Sequence, residues 1–169
     1  PDISVVMAMP DLHVARVVTL SKSLGAMGGA VCATGPLVDL LVNRARSFIF
    51  TTGLSPADTA AALAAVRLLR SAEGARLVER VRGHVDRVAA NHPSPIVPIV
   101  VGDEESTMEA SKQLLAGGVH VPAIRPPTVA PGTSRLRLAF SAAHTDNDVD
   151  QLVDVLDRLE LGWNGVAQS

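Results

Sequence analysis

Thr19-Leu20-Ser21-Lys22-Ser23-Leu24-Gly25-Ala26-Met27-Gly28-Gly29 contains one of only two lysines, Lys22 and Lys112, in a chain that carries thirteen arginines. Lys22 follows an apolar, β-prone run and precedes small residues and glycines. Lysine is the side chain that forms Schiff bases, and it does so best when desolvation lowers its pKa. The hydroxyls of Thr19 and Ser21 and the backbone amides near Gly25, Gly28 and Gly29 suit a phosphate placed beside it. Together these groups point to pyridoxal phosphate (PLP), whose aldehyde a lysine holds. The same string also reads as a strand end, a turn and a solvated lysine, and the physics alone leaves both readings open.

Working outward, residues 3–9 are apolar and predict a buried strand stopped by Pro10. Residues 14–20 predict a second strand that ends at the lysine turn, and residues 28–34 a third. Residues 36–46 place Leu37, Leu40, Leu41 and Ala45 at helical spacing. Residues 48–52, with Phe48, Ile49 and Phe50, predict a short strand. Ser55 and Pro56 read as the N-cap and first turn of an alanine-rich helix running to about Ser71. Its alanines between Ala60 and Ala65 read as core packing. Gly74 marks a break, after which residues 75–90 form an amphipathic helix with Leu77, Val81, Val85 and Val88 on one face.

Residues 91–95 form a polar connection. Residues 96–101 predict a strand, in which Pro98 requires an edge or a bulge. Residues 104–116 predict a helix ended by Gly117-Gly118. Residues 119–124 read as a strand, 126–132 as a proline-stiffened loop and 135–141 as a strand. Residues 146–161 read as a final helix capped by Thr145. The strands and helices after Pro56 make an α+β unit, whereas the stretch before it reads as the end of a larger α/β sheet.

Composition narrows the possibilities. The 169 residues are 47% hydrophobic and 19% charged, which suits a packed globular chain. Only 2% are aromatic, so Ala, Val, Leu and Ile must build the core. With a net charge of -2 and dispersed arginines, nothing resembles a nucleic-acid footprint. The single cysteine, Cys32, excludes an internal disulfide and reads as a small buried hydrophobe. No apolar run reaches the ~18 residues needed to cross a bilayer, and no signal peptide is evident, so a cytoplasmic location is expected. The five histidines are scattered and the carboxylates lack ligand spacing, so no metal site is expected. Asp103, Glu104 and Glu105 read as helix N-terminal charges, and His13 and His144 as structural histidines.

Four blocks, in order, carry a family resemblance. The lysine string, continued through Ala30-Val31, resembles the cofactor-lysine segment of the α-oxoamine synthases. Arg46-Ser47-Phe48-Ile49-Phe50-Thr51-Thr52-Gly53-Leu54-Ser55-Pro56-Ala57 resembles that family's next block. Val121-Pro122-Ala123-Ile124-Arg125-Pro126-Pro127-Thr128-Val129 with Gly132-Thr133-Ser134-Arg135-Leu136-Arg137-Leu138 resembles its C-terminal substrate segment, and Ser141-Ala142-Ala143-His144-Thr145 closes the match. The Ile-Arg-Pro-Pro-Thr-Val wording is most similar to the biotin-pathway branch.

The resemblance implies an α/β chain of the PLP-dependent transferase fold type I. Residues 1–55 would be the C-terminal part of the large PLP-binding domain, and residues 56–169 the small C-terminal domain. It implies that Lys22 binds PLP and then serves as the base at the substrate Cα, and that Thr19 and Ser21 hold the cofactor phosphate. Thr51 and Thr52 would reach the phosphate of a neighbouring subunit's cofactor, which implies a homodimer with shared active sites. Arg137 would take the substrate α-carboxylate, with Arg135, two residues away on the same strand face, as the competing candidate. Thr128 would contact substrate, and Arg125 would meet an acyl-chain carboxylate or a CoA phosphate.

The implied reaction is a decarboxylating condensation of L-alanine with a pimeloyl thioester on CoA or a carrier. Two other readings stay open: another α-oxoamine synthase using glycine or serine, and a non-catalytic fragment of such an enzyme. The family's pyridine-nitrogen carboxylate lies in a segment some thirty residues before the lysine, and its ring-stacking histidine lies earlier still. Neither segment is matched here, since Asp2, Asp11 and His13 stand in different surroundings. The chain is therefore expected to correspond to the second half of a family member.

Overall fold

A computed structural model describes residues 14–159. The expected strand over residues 3–9, His13 and the last residues of the final helix lie outside that range. The chain divides into two compact units between Glu73 and Gly74.

In the first unit, β1 (Arg16–Thr19) and β2 (Gly29–Cys32) form an antiparallel hairpin, with Val17 opposite Val31 and Thr19 opposite Gly29. Helix α1 (Gly35–Arg44) follows, with Pro36 in its first turn, where a missing N–H costs nothing. The strand expected over residues 48–52 is not formed. Arg46–Ile49 is instead a single helical turn, α2, closed by bonds from the Ile49 N–H to Ala45 O and the Phe50 N–H to Arg46 O. Among the described residues no strand pairs with this segment, so its β-branched and aromatic preference has no ladder to realise. The Arg46 guanidinium lies 5.2 Å from the Phe50 ring centroid.

Helix α3 (Pro56–Leu69) begins as the sequence predicts. The Ser55 hydroxyl accepts the Asp58 N–H at 3.1 Å. It ends where the Ser71 hydroxyl donates to Leu68 O, so the break precedes Gly74. Gly74 itself is buried inside the next helix, α4 (Ala72–Asp86). Among the alanines expected to be core, only Ala62 is buried. Cys32 is exposed rather than buried, because nothing among the described residues covers its face of the two-stranded hairpin.

The second unit holds the main core. Strands β3 (Ile96–Gly102), β4 (Ala123–Ile124) and β5 (Ser134–Ala139) form an antiparallel sheet in the order β3-β5-β4. Pro98 sits in regular register on the edge strand β3, the setting a missing N–H permits, and a register irregularity falls further along, between Val100 and Gly102. The strand expected over 119–124 shortens to two residues. Around it, contact is made by single bonds, from the Ser111 hydroxyl to Val121 O and from the Arg137 N–H to Pro122 O, and Pro122 has no N–H to extend a ladder.

Helix α5 (Glu104–Ala116) is capped by Asp103, and α6 (Asp146–Arg158) by a full Thr145/Asp148 capping box. The alternation of β5 buries Ser134, Leu136 and Leu138, and the two leucines join Val97, Ile99, Leu114, Val149, Leu152 and Leu156 in one core. Every member of that core is small or aliphatic except Phe140, as the aromatic-poor composition requires. The loop over residues 126–132 includes a cis Pro126-Pro127 bond.

Candidate functional site

The β1–β2 connection folds into a loop that presents Lys22. The Leu20 N–H bonds to Gly28 O at 2.9 Å, the Ala26 N–H to Leu20 O at 2.9 Å and the Gly25 N–H to Lys22 O at 3.0 Å. Gly25 (φ +60°) and Gly28 (φ +104°) take left-handed conformations that L side chains resist, which is why glycine stands at both. A Cβ on Gly28 would also lie 2.3 Å from Leu54 Cδ2. Lys22 is exposed, whereas Leu20 and Ala26 pack with Ala62 and Leu24 beneath the loop.

The Thr19 and Ser21 hydroxyls are 2.9 Å apart, and the Ser21 N–H donates to Thr19 Oγ1 at 3.3 Å. The Thr19 and Ser21 hydroxyls are therefore brought together directly before Lys22 in the chain. Thr51 and Thr52 follow α2 in the same unit and are exposed. The Thr51 N–H reaches Phe48 O at 3.5 Å, and among the described residues neither hydroxyl bonds to the lysine loop.

The loop is fixed from a direction the sequence reading missed. The Met27 N–H donates to Asp58 Oδ1 at 3.1 Å, and the Ser55 hydroxyl donates to Asp58 Oδ2 at 2.5 Å. These bonds, the Ser55 hydroxyl first and the Met27 amide second, hold the Asp58 carboxyl below its ordinary value. Ser55-Pro56-Ala57-Asp58 announces a helix cap in sequence, but nothing local shows that Asp58 also reaches back to residue 27.

The remaining candidates lie in the second unit. Arg135 and Arg137 share the outer face of β5, opposite Val100 and Pro98. Arg135 is half-buried, and its Nε–H donates to Thr133 O at 2.9 Å. Arg137 is exposed, and among the described residues its guanidinium has no hydrogen-bond or ion-pair partner. Thr128 is exposed on the proline loop, where its N–H bonds to Arg125 O at 3.0 Å. The Arg125 guanidinium faces the Glu104 carboxylate at 3.7 Å. His144 is structural, as expected: its Nδ1 accepts the Ser141 N–H at 3.3 Å, and its carbonyl meets Nε2 of the buried His84 at 3.1 Å. No group of three or more His, Cys, Asp or Glu among the described residues is placed to hold a metal ion.

A family model described as aminotransferase class I and II matches residues 2–156. The chain belongs to that family. Among curated relatives of this class I and II family member, 8-amino-7-oxononanoate synthase from Methylobacterium sp. (strain 4-46) is 51% identical over 147 residues, covering 85% of this chain. The synthase so named from Methylobacterium nodulans is 49% identical over 146 residues, covering 83% of the chain. The chain spans 38% of the length of both relatives. A variant of serine palmitoyltransferase from S. paucimobilis with a bound PLP–myriocin aldimine superposes with a TM-score of 0.73 at 28% identity, over 88% of this chain and 40% of that one. Its fold is thus that of the PLP-dependent aminotransferase family, and the α-oxoamine synthase resemblance carried by the four sequence blocks holds.

Proposed function

We propose that this chain supplies the cofactor lysine and the small-domain substrate residues of an 8-amino-7-oxononanoate synthase. The reaction would join L-alanine to pimeloyl-CoA, or a pimeloyl carrier, with loss of carbon dioxide and of the thiol, as a step of biotin biosynthesis. The observation that carries the reading is the loop in which Lys22 stands exposed beside the paired Thr19 and Ser21 hydroxyls. Half-identity to synthases of that name supports the choice of branch.

The residues present fit PLP. A primary amine suits its aldehyde, and two hydroxyls with adjacent backbone amides suit its phosphate. Bound PLP supplies an electron sink for charge developing at the amino acid's Cα. Around it, Lys22 holds the cofactor and then moves the Cα proton at its Nζ, while Thr19 and Ser21 orient the phosphate. Thr51 and Thr52 would serve the phosphate in a second subunit, making the working form a homodimer with shared sites.

Arg137 would hold the α-carboxylate. Among the described residues its guanidinium has no hydrogen-bond or ion-pair partner, and a fork of N–H donors matches a carboxylate bidentately. Thr128 would contact the substrate from the proline loop. Residues 1–55 would complete a large domain and residues 56–169 form the small one. No helix among the described residues is long and apolar enough to cross a membrane, and we place the enzyme in the cytoplasm.

The test is an absorbance spectrum of the protein with added PLP, beside Lys22→Ala, followed by CoA release from pimeloyl-CoA with L-alanine, glycine or serine. A visible band lost in the variant, with CoA release driven by alanine, is the expected result. A band with preference for glycine or serine moves the assignment to another α-oxoamine synthase. No band at all makes the chain a non-catalytic portion.

A further inference from the structure

We propose that Asp58 is the residue that positions the Lys22 loop, acting as a tether between the start of α3 and the backbone of Met27. The inference rests on the reading of Lys22 as the cofactor lysine and adds a part to that site.

Three observations on the same stretch carry it. The first is the long-range bond from the Met27 N–H to Asp58 Oδ1 at 3.1 Å, across thirty-one residues. The other backbone bonds of the loop (Leu20 to Gly28, Ala26 to Leu20, Gly25 to Lys22) are local and leave its placement undetermined. The second is that Asp58 is itself held rigidly. One carboxylate oxygen takes the Met27 amide and the other takes the Ser55 hydroxyl, whose oxygen in turn accepts the Asp58 N–H. The third is that the segment just before Asp58 shapes the loop, since Leu54 Cδ2 fills the space a side chain at Gly28 would need. Below, Leu20, Leu24 and Ala26 close on Ala62, one turn further along α3.

The start of α3 is thus a template on which residues 20–28 lie, and Asp58 makes its one directional bond. A charged acceptor suits this role: a carboxylate–amide bond is stronger than a neutral one, and the first turn of a helix favours the negative charge. The bonds of Asp58 go to Met27 and Ser55, so its effect on Lys22 is exerted through the backbone.

The test compares Asp58→Ala, which removes the acceptor, with Asp58→Asn, which keeps an amide oxygen where Oδ1 stands. Two readings are taken on each protein. One is the hydrogen-exchange rate of the Met27 amide. The other is the site of label after PLP treatment and borohydride reduction, scored by mass spectrometry as Lys22 over Lys112, the second lysine being an internal control in the other unit. Asp58→Ala is expected to speed Met27 exchange and to lower the Lys22-to-Lys112 ratio about tenfold, the scale of one hydrogen bond to a charged group. Asp58→Asn is expected to restore most of both.

An unchanged Met27 amide in Asp58→Ala overturns the tether. So does an unchanged labelling ratio despite faster exchange, because a residue that only adds stability would leave selectivity alone once the protein is folded. If the wild-type protein shows no preference for Lys22, the cofactor reading fails. The tether then stands or falls on Met27 exchange.

Discussion

Lys22 is useful only where its loop puts it, and the loop has little tolerance. Gly28 combines φ +104° with a Cβ position 2.3 Å from Leu54 Cδ2. Leu54 is half-exposed and can swing away, but the backbone conformation cannot be relieved. Gly28→Ala should therefore cost about 1–3 kcal/mol, read from a denaturant midpoint. The two arginines of β5 should separate by the bonds they already make. The Arg137 fork has no partner among the described residues, whereas the Nε–H of Arg135 is committed to Thr133 O. Arg137→Lys should raise KM for the amino acid by about tenfold or more, because an ammonium cannot make the bidentate contact. Arg135→Lys should change it by less than about threefold on the same argument; steady-state kinetics on both variants decides. The lysine turn and its neighbouring Thr19 and Ser21 hydroxyls were legible in the sequence because the turn is local. Asp58 was not, since its partner lies thirty-one residues away and Ser-Pro-Ala-Asp already has a sufficient local meaning as a cap.

At the scale of elements, caps and periodicity read well and short strands read poorly. Ser55 and Thr145 cap the helices as the sequence predicts, and Asp103, expected only as a helix N-terminal charge, caps α5. Phe48–Phe50 failed because strand preference needs a neighbouring strand, which no single segment can reveal. Thr145→Ala should destabilise α6 by about 1 kcal/mol, measured by thermal or urea unfolding.

The cap also sets a pH dependence. The backbone N–H of Thr145, then its hydroxyl, holds the Asp148 carboxyl below its ordinary value, and Asp103 is lowered by the Ser106 amide in the same way. A carboxyl whose folded pKa is depressed contributes stability that is fully present above its unfolded value of 3.8 and is lost as pH falls towards the folded one. The contribution of these two carboxyls should thus be unchanged from neutrality to about pH 5 and be lost below about pH 4. Asp148→Asn should flatten part of that acid limb in urea titrations; an acid limb identical to wild type would remove Asp148 from the account.

At the scale of the molecule, the two units are held together very differently. The second unit buries Ile99, Leu114, Leu136 and Leu156 almost completely, with a sheet and three helices contributing to one core. Among its described residues, the first has a buried apolar cluster of only Leu20, Ala26 and Ala62, and leaves Val17, Met27, Phe48 and Phe50 exposed. A two-stranded hairpin with so little cover is marginal in water. Hydrogen exchange should therefore be slow in β5, α5 and α6 and fast in β1 and β2 when this chain stands by itself. Equal protection across both units would contradict this division. The division also explains where sequence reading succeeded: patterns that end in a buried core, such as Leu136 and Leu138 alternating with Arg135 and Arg137, predict their own burial. Cys32 and the alanines of α3 looked like core because composition alone does not show what covers a face.

The most direct test of the central claim is peptide mapping after PLP treatment and borohydride reduction. The account predicts a phosphopyridoxyl group on the peptide carrying Lys22, with Lys112 essentially unlabelled. Label shared equally between the two lysines, or confined to Lys112, would contradict it.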